Sequence, residues 1–179
     1  MKQPIRKSAK AKLRTVGGFS VPELLLTMLI LLLMTGIMTD GILAVRTAYR
    51  TAVDTANAET YLNTVMIALR SKLSLATPVG GAVYSDPELG YYEISNDSDQ
   101  GIVIQYLDID MQSRGPQYRY LLLSGADDFI SSYGDISYNP GASLFTITNL
   151  QVSKKSKEAG EEPETLAEAD SYIIHTVNP

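Results

Sequence analysis

Apolar and polar positions divide the chain into three regimes. From Leu24 to Met34 the residues are apolar save Thr27, and no charge interrupts the stretch between Glu23 and Asp40. At 1.5 Å per residue, residues 19–39 predict a helix of about 32 Å, which matches one bilayer crossing. Beyond it, apolar side chains recur as Ile42, Val45, Ala48/Tyr49, Ala52/Val53, Ala56, Leu62, Val65/Met66, Leu69 and Leu73. Steps of three and four predict an amphipathic continuation over residues 40–76. Gly36 and Gly41 loosen such a helix by roughly 1 kcal/mol each relative to Ala, but no strong breaker stands between Phe19 and Ala76. The expectation is one helix of about 55 residues whose second half packs on a domain, ended by Thr77-Pro78-Val79-Gly80-Gly81.

From residue 77 to residue 179 the period changes to two. Strands are predicted at Ala82–Ser85, Tyr91–Ser95, Gly101–Met111, Tyr118–Ser124, Ser143–Val152 and Ser171–Val177. The fifth of these contains Leu144, Thr146, Thr148, Leu150 and Val152. β-Branched and aromatic enrichment supports these assignments. Ser124–Gly141, rich in Gly, Asp and Asn, reads as irregular. Lys154–Glu168 reads as a charged, mobile excursion between two hairpin strands. A helix followed by consecutive antiparallel strands is an α+β arrangement, with a long N-terminal helix packed on an antiparallel sheet.

Charge is distributed unevenly. Residues 1–18 hold Lys2, Arg6, Lys7, Lys10, Lys12 and Arg14 and no acid; after Gly18 there are 9 basic against 20 acidic residues, a net charge of −11. A basic leader beside an apolar span stays on the cytoplasmic side, so the remaining chain faces out. An acidic exterior is a poor duplex-binding surface, because such binding neutralises phosphates with Lys and Arg; no direct nucleic acid contact is expected. The chain has no cysteine. That removes thiol catalysis and cysteine-based zinc sites, and leaves the domain to be held by its core or by neighbours. About 140 residues follow the apolar segment, enough for one domain.

Glu23 is the residue that an ordinary anchor does not explain. A carboxylate within a membrane helix costs several kcal/mol unless paired. Ordinary signal peptides place small residues after the apolar core, whereas here the pair Gly17-Gly18 precedes it. Gly18-Phe19-Ser20-Val21-Pro22-Glu23, behind a basic leader and ahead of an apolar run, resembles the class III signal of type IV pilins and pseudopilins. The motif spans about six residues. The resemblance implies that a prepilin peptidase cuts between Gly18 and Phe19 and methylates the new Phe19 terminus, and that Glu23 is the assembly residue. It implies a pilin-like fold and insertion in the cytoplasmic membrane with the N-terminus inside. Assembly with other pilin subunits at an inner-membrane platform would then give a cell-surface filament. Pro22 suits the first turn of a helix, where a missing N–H is no loss. Three alternatives stay open. They are a pseudopilin of a type II secretion or DNA-uptake machine, a membrane-anchored extracellular binding domain that never polymerises, and an uncleaved signal anchor.

Other chemistry is thin. Asp127, Asp128 and Asp135 are the one place where clustered oxygens could take Ca²⁺, as some pseudopilins do, but their spacing is not that of an EF-hand and a solvated loop is expected. Asp97-Asp99 is weaker, and the i, i+2 pair Asp108-Asp110 is expected on one strand face, toward water. His175, the single histidine, reads as a strand surface residue. There is no G-x-S-x-G, phosphate loop, dinucleotide fingerprint or zinc spacing. Neither enzymatic activity nor a cofactor is expected.

Overall fold

The computed structural model describes residues 20–124, 128–156 and 163–177. It divides into two compact units, 1–47 and 48–179.

One helix, α1 (Val21–Leu73), begins in the first unit and ends in the second. It opens with Pro22 and Glu23 in its first turn and closes with Arg70 and Lys72 in its last. Both charge biases oppose the helix dipole. In the first unit every described residue, Ser20 to Thr47, is exposed. The threonines there do not leave their hydroxyls unbonded. Thr27 donates to the Leu24 carbonyl (2.9 Å), Thr39 to that of Thr35 (2.8 Å) and Thr47 to that of Leu43 (3.0 Å). Thr35 likewise donates to the carbonyl of Leu31, one turn back. Val21–Leu73 includes one stretch long and apolar enough to cross a membrane.

In the second unit the helix becomes one-sided. Ala58, Leu62, Val65, Leu69 and Leu73 are buried, at steps of four, three, four and four, and they join the core of the sheets. The helix stops at Leu73, three residues short of the expected end. Thr77-Pro78-Val79-Gly80, expected as a terminator, is itself a strand, β1 (Thr77–Gly80). It lies at a sheet edge, where proline costs no ladder bond.

β1 opens a five-stranded antiparallel meander with β2 (Val83–Asp86), β3 (Gly90–Asp97), β4 (Gly101–Tyr106) and β5 (Arg119–Leu121), in that spatial order. A second sheet is centred on β8 (Leu144–Lys154). Its inner half pairs with β7 (Asp135–Asn139), its outer half with β6 (Phe129–Ser132), and its other edge with β9 (Glu164–His175). Tyr84, Tyr92, Ile94, Ile102 and Ile104 of the first sheet and Phe145, Ile147, Leu150 and Val152 of the second bury into one core with the helix face. An ion pair between Asp54 and Lys154 joins the helix to the end of β8. At the other end, the Val177 N–H donates to the Ser74 carbonyl at 2.7 Å.

The α+β layout is as expected, and several boundaries are not. β4 ends at Tyr106, not at Met111. β5 has three residues and follows a 3-10 turn at Pro116–Tyr118. Ser124–Gly141, expected to be irregular, contributes both β6 and β7. Gly134 falls between the two strands, and Asp135 opens the second. β9 begins at Glu164, seven residues before the expected start. Its Ala167-Glu168-Ala169-Asp170 run alternates covered alanines with exposed acids, but alanine and glutamate are poor strand formers and do not announce it. Lys154–Glu168 is therefore strand at both its ends, and residues 157–162 lie outside the described residues.

Simple alternation also fails in β8. The inward residues are Phe145 and Ile147, then Leu150 and Val152. The three-residue step falls at Asn149, whose φ is 50°, and β9 makes the matching step from Tyr172 to Ala169. Asn tolerates the left-handed region better than other side-chain-bearing residues. Its conformation keeps an apolar face inward on both strands across the odd step.

Gly101 is the tightest glycine. Its φ is +84°, and a Cβ there would lie 2.8 Å from the Ser131 carbonyl oxygen and 3.0 Å from the Ser131 nitrogen. Both obstacles are backbone of β6, which cannot rotate aside. Gly101→Ala is expected to destabilise by well over 1 kcal/mol, from strain and clash together. Urea unfolding of the detergent-solubilised full chain, followed by tyrosine signals, would read this; an unchanged midpoint would contradict the close β4–β6 approach.

Candidate functional site

Gly18 and Phe19, the expected processing pair, lie outside the described residues, as does Asp127. Glu23 sits in the first turn of α1, one residue before Leu24, whose N–H donates to the Ser20 carbonyl at 3.0 Å. A carboxylate there is favoured by the positive end of the helix dipole. Around it the surface is apolar: Val21, Leu24, Leu25, Leu26 and Met28 are all exposed. Among the described residues no cation lies within ion-pair distance of Glu23. The first turn thus presents a carboxylate with no cation beside it among the described residues, at the head of an exposed apolar stretch of helix.

The acidic positions considered for calcium do not form a site among the described residues. Asp128 is exposed just before β6, and its carbonyl accepts the Lys155 N–H at 2.9 Å. Asp135 opens β7 opposite Thr148. No group of three or more His, Asp or Glu placed to hold a metal occurs among the described residues. His175 is the exposed last residue of β9. Asp97 has a structural task instead. The Asp99 backbone N–H, then the Arg119 guanidinium and the Gln100 N–H, hold its carboxyl below the usual carboxylate range. Arg119 reaches it at 2.6 Å, tying β5 to the end of β3.

The pair Asp108-Asp110 requires a correction. These residues do not share a strand face, because β4 has already ended. The Asp108 carboxylate accepts the N–H groups of Asp110 (3.0 Å) and Gln112 (2.8 Å). The Asp108 N–H donates to the Gln112 carbonyl at 2.8 Å, and Leu107 bridges Ser113. The result is a tight loop with Met111 at φ 59° and Ile109 at its tip, 87 % exposed.

An apolar groove of about 340 Å³ is lined by Ala68, Ser71 and Lys72 of α1 and by Ile104, Tyr106, Tyr120, Leu121 and Leu122 on the β5 side of the first sheet. Tyr120 is 54 % exposed at its rim. The Lys72 ammonium donates to the Tyr106 hydroxyl at 2.8 Å, and Tyr106 meets Tyr120 edge-on with centroids 5.5 Å apart. Neither loop nor groove was legible in the sequence. Ile109 fits a strand alternation, and only the end of β4 at Tyr106 turns it into a tip. The one available signal was an acid on each side of an isolated isoleucine. No protein-family model, curated protein or solved structure matches this chain.

Proposed function

We propose that the chain is a structural subunit of a type IV pilus-type filament, assembled from the membrane after its leader is removed. One observation carries the reading: Glu23 stands in the first turn of an uncovered apolar helix that continues, unbroken, into the core of an antiparallel domain. A helix serving only as an anchor gains nothing from that carboxylate. A helix that packs beside copies of itself gains a register point, because a single polar residue in an apolar seam penalises every misaligned arrangement. The counter-charge would be the Phe19 amine of a neighbouring subunit, created by the cut after Gly18. The partners of this reading are a prepilin peptidase, an inner-membrane assembly platform and further pilin subunits. Membrane lipid surrounds the helix before assembly, and the domain faces outward.

Mass spectrometry of filaments sheared from the cell surface tests it. The expected peptide begins at Phe19 and carries one added methyl group. Recovery of that terminus only in membranes would favour a secretion or uptake machine. Recovery of intact leader alone would overturn the reading in favour of a plain anchor.

A further inference from the structure

We propose that the Leu107–Ser113 loop of one copy seats Ile109 in the Tyr106–Tyr120 groove of a second copy. The inference rests on the filament reading, which brings copies together, and names one contact between their outward domains. Ile109 is 87 % exposed, so little among the described residues covers this large aliphatic side chain. Its loop is already ordered, with the Asp108 carboxylate holding two backbone N–H groups and the Arg114 N–H donating to the Tyr106 carbonyl at 3.2 Å. Ordering costs that weaken most loop contacts have therefore already been met before association.

The groove complements this tip in apolar character and charge. Its walls are apolar and aromatic, and its cation is Lys72. The tip carries Asp108 and Asp110 on either side of Ile109. An apolar knob flanked by carboxylates thus meets an apolar slot holding an ammonium, and opposite potentials of this kind fix register and exclude wrong partners. Met111, Tyr118, Tyr120 and Leu121, on the same stretch of chain, are exposed as well, and exposed apolar surface rimmed by charge marks an interaction site. Knob and slot both belong to this chain, so a second copy supplies the matching half. If each subunit gives its knob to the next and receives one from the previous, the contact is head-to-tail and propagates.

The absence of cysteine makes the test clean. Full-length Ile109→Cys and Ser71→Cys chains, the latter altered at the groove wall, are co-expressed and treated with a copper–phenanthroline oxidant. Both positions are exposed, so neither change disturbs the core. The expected result is a disulfide-linked dimer from the mixture and from neither variant alone, since bridging needs Cα atoms within about 7 Å. Asp110→Lys in the Ile109→Cys chain is expected to lower the dimer yield severalfold by placing like charges together. Absence of the mixed dimer from both membranes and sheared filaments would overturn the proposal, as would dominant Ile109→Cys self-pairing or linkage to a different protein. Filaments carrying the Phe19 terminus but no mixed dimer would remove this contact and leave the filament reading standing. A mixed dimer confined to membranes that yield no filaments would do the reverse.

Discussion

Glu23→Ala is expected to leave the cut after Gly18 intact and to lower filament yield by at least about a hundredfold. Removing one partner of an ion pair in apolar surroundings costs about 3–5 kcal/mol, because the other charge is left uncompensated, and each 1.4 kcal/mol is about a factor of ten. The penalty would fall on the assembled state. Before assembly, Glu23 in the first turn of the helix would lie near enough the helix end to reach the polar interface. Glu23→Gln separates the two contributions. It keeps the shape and hydrogen-bonding capacity but loses the charge, so a register role carried by charge predicts that it fails nearly as badly as Ala. The measurement is the Phe19-terminal peptide, counted in membranes and in the sheared fraction. Normal incorporation of Glu23→Ala would end the register role.

Tyr92→Ala should be the most damaging single truncation in the domain. Tyr92 is fully buried in β3, stacks beside Tyr84 at 5.7 Å and Tyr106 at 6.1 Å, and donates its hydroxyl to the Lys72 carbonyl at 2.9 Å. That carbonyl belongs to the last turn of α1, where intrahelical partners run out. Truncating a buried aromatic costs about 3–5 kcal/mol, whereas Tyr92→Phe removes only the hydrogen bond, about 1 kcal/mol. Urea unfolding of the full chain in detergent should rank the variants in that order. Equal losses would mean that the hydroxyl, and not the ring, holds the site.

The same side chain sets an alkaline limit. Burial first, then the Asp86 charge, pushes the Tyr92 phenol well above its ordinary value, and burial does the same to Tyr84. Both contributions are intact below the unfolded phenol value of about 10. They are lost as pH rises from there toward the folded values, since the unfolded chain releases the protons first. Alkaline unfolding should begin near that point and move upward in Tyr92→Phe.

The helix was readable because its burial follows from a period the sequence displays. Leu62, Val65, Leu69 and Leu73 recur at helical steps and are buried. Ile42, Val45 and Tyr49 recur too, yet stay exposed. Periodicity reports that a face wants cover, not whether the chain supplies it. Strands were readable where one face alternates, as in β3. They were obscured where a local conformation resets the count, as at Asn149, and where short strands sit among turn residues, as in β6 and β7. Of the proposed functional positions, Gly18 and Phe19 were visible only through their resemblance to a processing signal, whereas Glu23 also stood out as a carboxylate at the head of an apolar run. The groove depends on which strand edge stays open, and that is a property of the completed sheet.

The threonine hydroxyls along the first half of α1 each return to a carbonyl of the preceding turn. These threonines carry their own hydrogen-bond partners and ask none of their surroundings. They would pass from one apolar medium to another without breaking a polar contact on the way. The barrier to leaving a lipid phase would then lie in side-chain packing and in the carboxylate of Glu23, so speed of transfer and fidelity of alignment would be set by different residues and could be altered separately.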